Sequence, residues 1–280
     1  MTLSKKIDFA LIIKVKNANP NGDPLNGNRP RADFGGVGEI TDVCLKRKMR
    51  DRLQEAGEAI FVQSDEKKND GMPSLSTRAY DDKAGVGKDT FNTKKTTKDA
   101  ASIKVCQKWF DVRAFGQVFA FGKSEDAAGV SIAIRGPLTI QSAFSIAPIN
   151  ITSTQITKSV SGEGDGSKRG SDTMGMKHRV DEGIYVAYGA MTPQLAERTQ
   201  FSDDDAEKIK AILPKLFEGD ASSARPEGSM QVLQVVWWPH NSKAGQYSSA
   251  KVHGSLRVHA DGQCDVQPLA GLNVEMIEGF

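Results

Sequence analysis

The pattern of apolar and polar positions is clearest near the N-terminus, over residues 7–16. Apolar side chains occupy every second position of one phase: Ile7, Phe9, Leu11, Ile13 and Val15. A period of two residues is that of a β-strand, so the segment predicts a strand with one buried face. The other face is mixed, and it ends in Lys14 and Lys16. We expect the apolar face to pack on helices.

Residues 41–56 change to the period of a helix. Three apolar side chains recur at every fourth position and form one buried stripe: Leu45, Met49 and Leu53. Thr41 precedes the stripe, where its hydroxyl can accept a hydrogen bond from an amide of the first turn. Gly57 follows the stripe, and glycine commonly ends helices.

Cations and glycines surround the start of this helix. Residues 35–38 read Gly-Gly-Val-Gly, and the first turns carry Lys46, Arg47, Lys48 and Arg50. Lys46 and Arg50 are four residues apart and project from one strip of the helix. A glycine-rich segment before the helix, free backbone amides in its first turn and two cations on one strip favour a phosphate-binding site. A basic strip is equally typical of a solvated helix face, so the pattern alone leaves both interpretations open.

The loop between this strand and helix is rich in turn-forming residues. Residues 17–31 read Asn-Ala-Asn-Pro-Asn-Gly-Asp-Pro-Leu-Asn-Gly-Asn-Arg-Pro-Arg and end in Arg29 and Arg31. Asn, Gly and Pro at this density indicate a fixed irregular loop rather than a hairpin turn. Loops of this length inside compact domains are usually functional or disordered.

From residue 58 to residue 108 apolar side chains become sparse. Seven lysines and two aspartates lie between Lys83 and Lys108, a local excess of five positive charges. This composition predicts an insertion that protrudes from the core. A disordered lysine-rich loop would have the same composition.

The second half of the chain returns to patterned segments. Four aromatic side chains lie among residues 109–119, where Asp111 and Arg113 are expected to pair. A strand over 130–141 follows, interrupted by a Gly-Pro pair at its centre. The remaining predicted elements are a β-hairpin over 151–188 with a Gly- and Ser-rich tip, a helix over 202–213 capped by Ser202, and strands over 230–238 and 252–259. This order predicts an α+β fold with a mainly antiparallel sheet, compatible with a ferredoxin-like or RRM-like core.

Composition narrows the functional classes. The 280 residues carry a formal net charge of +2, so any affinity for nucleic acid must come from local patches. Three widely spaced cysteines argue against a disulfide framework. No segment resembles a cleavable signal or approaches the length of a membrane span, so we expect a soluble cytoplasmic protein without a membrane partner.

Catalytic and metal-binding motifs are missing from the sequence. The histidines lie at positions 178, 240, 253 and 259. They complete no zinc motif with a cysteine or carboxylate. Gly122-Lys123-Ser124 lacks the glycine at position 117 that a Walker A motif needs. We expect no cofactor, no metal and no enzymatic activity, although a metal-independent ribonuclease would leave no spacing signature.

Four motifs resemble those of a known family. They are residues 19–24 (Asn-Pro-Asn-Gly-Asp-Pro), 41–50 (Thr-Asp-Val-Cys-Leu-Lys-Arg-Lys-Met-Arg), 111–116 (Asp-Val-Arg-Ala-Phe-Gly) and 174–178 (Met-Gly-Met-Lys-His). Together they resemble the backbone subunit of type I-C CRISPR Cascade, within the repeat-associated mysterious protein superfamily. The resemblance spans most of the chain, including the stretch from Asp220 to Met230.

The resemblance implies a fold and a function. An RRM-like (ferredoxin-like) palm is expected over 1–57 and 109–280, with a finger insertion at 58–108 and a thumb hairpin at 155–180. The implied function is to bind CRISPR RNA, to polymerise along this guide and to support RNA-guided binding of target DNA in antiviral defence. Other copies of the chain and other Cascade subunits are the implied protein partners. The alternative is a metal-independent endoribonuclease of the same superfamily that processes CRISPR RNA.

The resemblance also implies site residues. RNA binding is expected from Lys14, Asn21, Arg29, Arg31, Thr41, Lys46, Arg47 and Arg50. Thumb residues are expected at Lys158, Lys168, Arg169, Met174 and Lys177. Finger lysines expected to face the DNA are Lys88, Lys94, Lys95, Lys98 and Lys104. Related subunits carry a glutamine where this chain has Val43, so a polar contact is not expected there. Such a subunit reads backbone and shape rather than base identity.

Overall fold

The computed structural model describes residues 1–92, 94–121, 131–159 and 174–280. Its strands are β1 (Ile7–Ala18), β2 (Gly22–Asp23), β3 (Arg29–Pro30), β4 (Val37–Ile40), β5 (Gly116–Ala120), β6 (Ser131–Arg135), β7 (Leu138–Ile140), β8 (Ala143–Pro148), β9 (Ile151–Thr157), β10 (Met174–Met191), β11 (Met230–Pro239), β12 (Leu256–Val258), β13 (Cys264–Val266) and β14 (Glu275–Glu278). Its α-helices are α1 (Asp42–Glu55), α2 (Leu75–Tyr80), α3 (Lys98–Lys108), α4 (Phe110–Phe115), α5 (Pro193–Thr199), α6 (Asp203–Ile212) and α7 (Ser249–His253).

A central sheet organises the chain, with the strand order β14-β11-β1-β10-β8-β4. The long strand β1 lies in its middle and pairs antiparallel with β10 and β11. Along the chain, β1, α1, β8, β10, α6 and β11 follow one another as strand, helix, two strands, helix and strand. The predicted α+β class with a mainly antiparallel sheet is confirmed.

The main core lies on one face of this sheet. The predicted apolar face of β1 packs there against the α1 stripe and against Ala206 and Ile209 of α6. Both helices begin as predicted. Thr41 caps α1, and Ser202 caps α6 in a reciprocal capping box with Asp205.

The opposite face of β1 is also covered. Ala10 and Ile12 are fully buried there with Trp238, and they pack against Val252 and Leu256 from the C-terminal segment. The cations that end this face stay near solvent, and Lys14 Nζ lies 3.1 Å from Glu182 Oε1. The strand is therefore buried on both sides over most of its length.

A second, smaller core lies away from the sheet. It joins Phe61, Val105 and Trp109 to Phe119 and Ile132, with the Phe61 and Trp109 rings 4.6 Å apart. In the part described, the lysine-rich region that follows α1 thus forms the helices α2 and α3 and has a core of its own. This core takes residues from both sides of position 108. The finger limits of 58–108 stay a prediction.

Two of the predicted strands need correction. The strand expected over 130–141 is two strands, because β6 pairs with β5 whereas β7 joins the central sheet. Gly136 lies between them, where a Cβ atom would collide with the backbone of Ala114 and Phe115. The strand expected over 252–259 is wrong in its first part, because Ser248 caps helix α7, which includes Val252 and His253.

The predicted hairpin is present in the described residues. Strands β9 and β10 pair from Thr157 with Met174 to Ile151 with Val180. Beyond Val180, β10 continues into the central sheet beside β1. The predicted thumb residues Lys168 and Arg169 lie outside the described residues.

Candidate nucleic-acid interface

The loop after β1 is fastened to the start of α1. The Thr41 backbone N and Oγ1 both donate to Asn21 Oδ1, at 2.9 and 2.8 Å. The same hydroxyl accepts from Cys44 N at 3.3 Å, as an N-cap does. Asn21 and Thr41 are both predicted RNA-binding residues. They are hydrogen-bonded to each other and fix the loop against the helix.

The cations of α1 have separate environments. Lys46 Nζ lies 2.9 Å from Asp42 Oδ2, one turn earlier on the helix. Arg47 Nη2 lies 3.4 Å from Glu66 Oε2, and both side chains are largely exposed. Exposed pairs of this kind contribute little to stability and can exchange for another anion. Lys48, by contrast, is buried and pairs with Asp220.

Arg50 points into the protein. Its Nε lies 3.0 Å from Asp111 Oδ2, its guanidinium lies over the Phe115 ring, and only 14% of the side chain is exposed. The expected pair of Asp111 with Arg113 is wrong, because Arg113 Nη2 lies 2.8 Å from Asp205 Oδ1. Helical residues two positions apart point in different directions, so the two side chains meet different neighbours. The role of Arg50 in RNA binding stays a prediction.

The loop arginines line a cleft of about 300 Å³ beside the hairpin. Arg29 Nη1 donates to Ser153 Oγ on β9 at 2.8 Å. Arg31 Nη2 lies 3.4 Å from Asp23 Oδ1, and its buried Nε has no hydrogen-bond partner in the described part of the chain. The two predicted cations are thus brought to one surface.

A second cleft, also about 300 Å³, lies where three distant segments meet. We call it the junction cleft. It is lined by Asn19, Asn28, Ile156, Met176, Lys177, His178, Ser223 and Ala224. The cleft exists because the pairing of β1 with β10 ends at Ala18 and Val180, while β10 extends further into the hairpin. The loop after β1 therefore faces an edge of β10 that β1 does not cover.

The junction cleft combines apolar and polar groups. Ile156 and Met176 are exposed apolar side chains, and Lys177 is an exposed cation without an ion pair among the described residues. Asn19 is only 3% exposed, and its Nδ2 donates to Asn28 O at 2.6 Å. Such a surface can accommodate a nucleotide. The sugar and base pack against the apolar side chains, and the cation neutralises the phosphate.

The predicted finger lysines differ in how they are engaged. Lys95 Nζ lies 2.8 Å from Asp89 Oδ1, and Lys104 Nζ donates to Val86 O and Thr90 Oγ1, both at 2.9 Å. Three others are exposed without an ion pair in the described residues: Lys88, Lys94 and Lys98. Lys158 follows β9, and Met174 begins β10 as an exposed side chain.

Several lining residues of the junction cleft were not singled out from the sequence. They are Asn19, Asn28, Ile156, Met176, His178, Ser223 and Ala224. Asn19 and His178 belong to the motifs at 19–24 and 174–178. Membership of these motifs was the sequence feature that could have pointed to the two residues. Nothing local in the sequence indicated that these two motifs meet.

Comparison with known proteins identifies the family. The family model described as CRISPR-associated protein Cas7 matches residues 5–274. The chain belongs to the Cas7 family. This family member is 29% identical over 248 residues to a CRISPR-associated protein Cas7 of Haloferax volcanii, an alignment that covers 84% of this chain and 71% of the relative.

Two solved structures are also similar to this Cas7-family chain. One is described as a CRISPR RNA-guided surveillance complex, pre-nicking, with a TM-score of 0.48, 16% identity, and coverage of 83% of this chain and 75% of the other. The second is described as a CRISPR RNA-guided surveillance complex, with a TM-score of 0.44, 14% identity, and coverage of 83% and 68%.

The expected resemblance to a CRISPR Cascade backbone subunit is confirmed at the level of the Cas7 family. The assignment to type I-C stays a prediction. Within the described residues, no helix has the length and apolar character needed to cross a membrane. The same residues contain no group of three or more His, Cys, Asp or Glu side chains arranged to hold a metal ion.

Proposed function

We propose that this chain is the CRISPR RNA-binding backbone subunit of a type I-C Cascade surveillance complex. In this proposal, copies of the chain polymerise along the guide and support binding of target DNA. The observation that carries the proposal is the junction cleft, where two of the motifs that resemble the family meet beside an exposed lysine. Membership of the Cas7 family supports the same function.

The arrangement of the sheet supports an RRM-like palm. Strands β11, β1, β10 and β8 are neighbours in that order, and the helices α1 and α6 lie on the core face. This matches the strand–helix–strand–strand–helix–strand order of ferredoxin-like folds. The face opposite α1 and α6 is partly covered by α7 and the rest of the C-terminal segment, so we assign the RNA to the edge near the loop and hairpin rather than to that face.

We assign the phosphate contacts to cations that keep access to solvent. They are Arg29, Arg31, Lys46, Arg47 and Lys177. Lysine and arginine side chains on one side of a fold bind a nucleic-acid backbone without reading its sequence, as a subunit covering any guide requires. Lys88, Lys94 and Lys98 are the finger cations that we assign to the target DNA.

The proposal is tested by measuring the mass of complexes formed with guide RNAs of increasing length. The expected result is a stepwise increase in the number of protein copies as the guide lengthens. A constant single copy per RNA would contradict the proposed polymerisation and indicate a single-copy RNA-binding module.

The absence of catalysis is part of the proposal and has its own test. Purified protein is incubated with CRISPR repeat RNA in EDTA, and the products are separated on a denaturing gel. Intact RNA is the expected result. Specific cleavage in EDTA would contradict the proposal and support the metal-independent endoribonuclease.

A further inference from the structure

A phenylalanine protrudes from the turn that leads into β4. Phe34 is fully exposed, and it follows Asp33, which is also exposed. The turn is fixed by two hydrogen bonds, because Gly36 N donates to Asp33 O at 3.1 Å and Val37 N donates to Asp33 Oδ1 at 2.9 Å. We call residues 33–36 the Phe34 turn. It presents an aromatic ring beside a carboxylate, and such a ring gains free energy when a partner surface buries it.

A cleft of about 530 Å³ lies between α3, β6 and α5. We call it the α5 cleft. Its larger apolar side chains are Ile103, Ile134 and Leu195, of which Ile103 is exposed and the other two are half-buried. The volume falls within the range of about 300–1,000 Å³ that is usual for binding clefts. The α5 cleft can therefore accommodate a phenyl ring.

Two cations of the α5 cleft match the charge beside Phe34. Arg135 and Arg198 line the cleft, and both are exposed without an ion pair among the described residues. A carboxylate that enters the cleft beside an aromatic ring would pair with these guanidinium groups. The Phe34 turn offers this combination through Asp33.

The acidic side chains of the α5 cleft are already compensated. Glu197 Oε1 lies 2.5 Å from Lys243 Nζ. Asp99 lies in the first turn of α3, where the helix dipole stabilises a carboxylate. Both side chains therefore compete weakly for the two arginines.

The Phe34 turn and the α5 cleft lie at opposite ends of the central sheet. Gly36 O accepts from Ile149 N at 2.9 Å, and the residue after Ile149 accepts from the backbone of Asp181. The cleft lies at the other end of β10, because α5 begins two residues after Met191. The ten residues of β10 from Asp181 to Met191 span about 30 Å. A copy of the chain cannot place Phe34 in its own cleft, whereas two copies can join head to tail.

We propose that Phe34 of one copy inserts into the α5 cleft of the next copy, with Asp33 facing Arg135 and Arg198. This inference rests on the proposed function and identifies a contact between neighbouring copies on the guide. The two surfaces of the contact differ, so the interface is heterologous. A heterologous interface that does not close into a ring produces an open filament, and the contact therefore adds copies in one direction along the RNA.

The first experiment compares binding to two RNAs, a long one that holds several wild-type copies and a short one that holds a single copy. Phe34→Ala is expected to weaken the contact between adjacent copies on the long RNA at least about thirtyfold, the effect of losing a buried aromatic anchor. Arg135→Glu combined with Arg198→Glu is expected to have the same effect. Both variants should bind the short RNA with unchanged affinity. Leu25→Ala is the matched control, because Leu25 is an exposed apolar side chain on the same loop and should leave both measurements unchanged.

The second experiment mixes the two variants on the long RNA and measures the masses of the complexes. Phe34→Ala keeps the α5 cleft, and the double arginine variant keeps Phe34, so one copy of each can form a single contact. The mixture is expected to form pairs, and no longer runs, at concentrations at which neither variant pairs alone. Absence of pairs in the mixture would contradict a contact between two different surfaces.

The outcomes separate the two proposals. If wild-type copies assemble cooperatively and Phe34→Ala does so equally well, the inference is overturned while the proposed function stands. A weaker affinity of Phe34→Ala for the short RNA would assign Phe34 to the RNA and also overturn the inference. Wild-type protein that binds every RNA as a single copy would overturn the proposed polymerisation and the inference with it. Denaturation curves of all variants, measured in parallel, exclude unfolding as the cause of a lost contact.

Discussion

The Nε atom of Arg50 lies 3.0 Å from Oδ2 of Asp111, and this ion pair joins α1 to α4. Asp111 is 1% exposed, and it also accepts hydrogen bonds from Phe61 N at 2.7 Å and Val62 N at 3.0 Å. The buried Asp111 carboxylate thus links α1 to Phe61 and Val62, which belong to or pack on the second core. Arg50 is part of the connection between the two cores.

Replacing Asp111 with Ala is expected to lower the free energy of unfolding by about 3–5 kcal/mol, because it leaves a largely buried guanidinium and two amides without an acceptor. Urea denaturation of the purified proteins measures the change. Arg47→Ala is the control on the same helix, and it should cost less than about 1 kcal/mol because its pair with Glu66 is exposed. Equal losses in both variants would contradict the assignment.

Lys46 and Arg47 of α1, which keep access to solvent, should act on binding rather than on folding. Lys46→Ala and Arg47→Ala are each expected to reduce the slope of log affinity for RNA against log salt by about 1, because each removes one of the proposed phosphate contacts. Titrations at several salt concentrations measure the slope. Lys243→Ala, which removes an exposed pair with Glu197, should leave it unchanged. An unaltered slope in both α1 variants would count against these residues as RNA contacts.

Asp205 predicts a loss of stability in acid. Burial raises the pKa of Asp205, but hydrogen bonds from Arg113 and Ser202 outweigh burial and hold the pKa below its usual value. The ordinary pKa of aspartate is about 4, so just below this pH the folded state binds fewer protons than the unfolded state. The free energy of unfolding therefore falls as the pH drops through this range. The stability difference between wild type and Asp205→Asn should shrink below pH 4. A difference independent of pH would refute the linkage.

His253 predicts a second pH effect at a milder pH. Burial lowers the pKa of His253, and the nearby Asp8 carboxylate, which raises it, only partly offsets this effect. A lowered folded pKa means that stability is complete above the unfolded value of about 6.5 and decreases as the pH falls below it. His253→Phe keeps the ring that stacks on Tyr188 and should flatten this part of the stability profile. Thermal melts between pH 5 and 8 provide the comparison.

Gly189 should tolerate no side chain. A Cβ atom there would overlap the ring of Phe9, which is fully buried and stacked on Trp237 in the centre of the sheet. Gly189→Ala is expected to cost about 1–3 kcal/mol through overpacking. Gly175→Ala, whose Cβ would meet Ile156 at 3.5 Å on the exposed hairpin, should change stability by less than about 0.5 kcal/mol. Chemical denaturation of both variants distinguishes the two sites.

Local patterns predicted the elements that local forces build. The alternation from Ile7 to Val15 predicted β1, and the stripe beginning at Leu45 predicted α1 together with its cap at Thr41. These signals suffice because strand and helix periods, and capping hydrogen bonds, involve residues close together in the chain. The strand expected over 252–259 was partly wrong, because the capped turn at Ser248 begins a helix that extends to His253.

The sequence by itself determined the class of the fold, the central strand and helix, and the motifs that resemble the Cas7 family. Only the tertiary structure decided which charges meet, since Arg50 and Asp111 are 61 residues apart. The same holds for the junction cleft, which Asn19 and His178 both line because β1 ends while β10 continues. Such neighbours depend on strand order and register, and these follow from the packing of the whole sheet rather than from any local pattern.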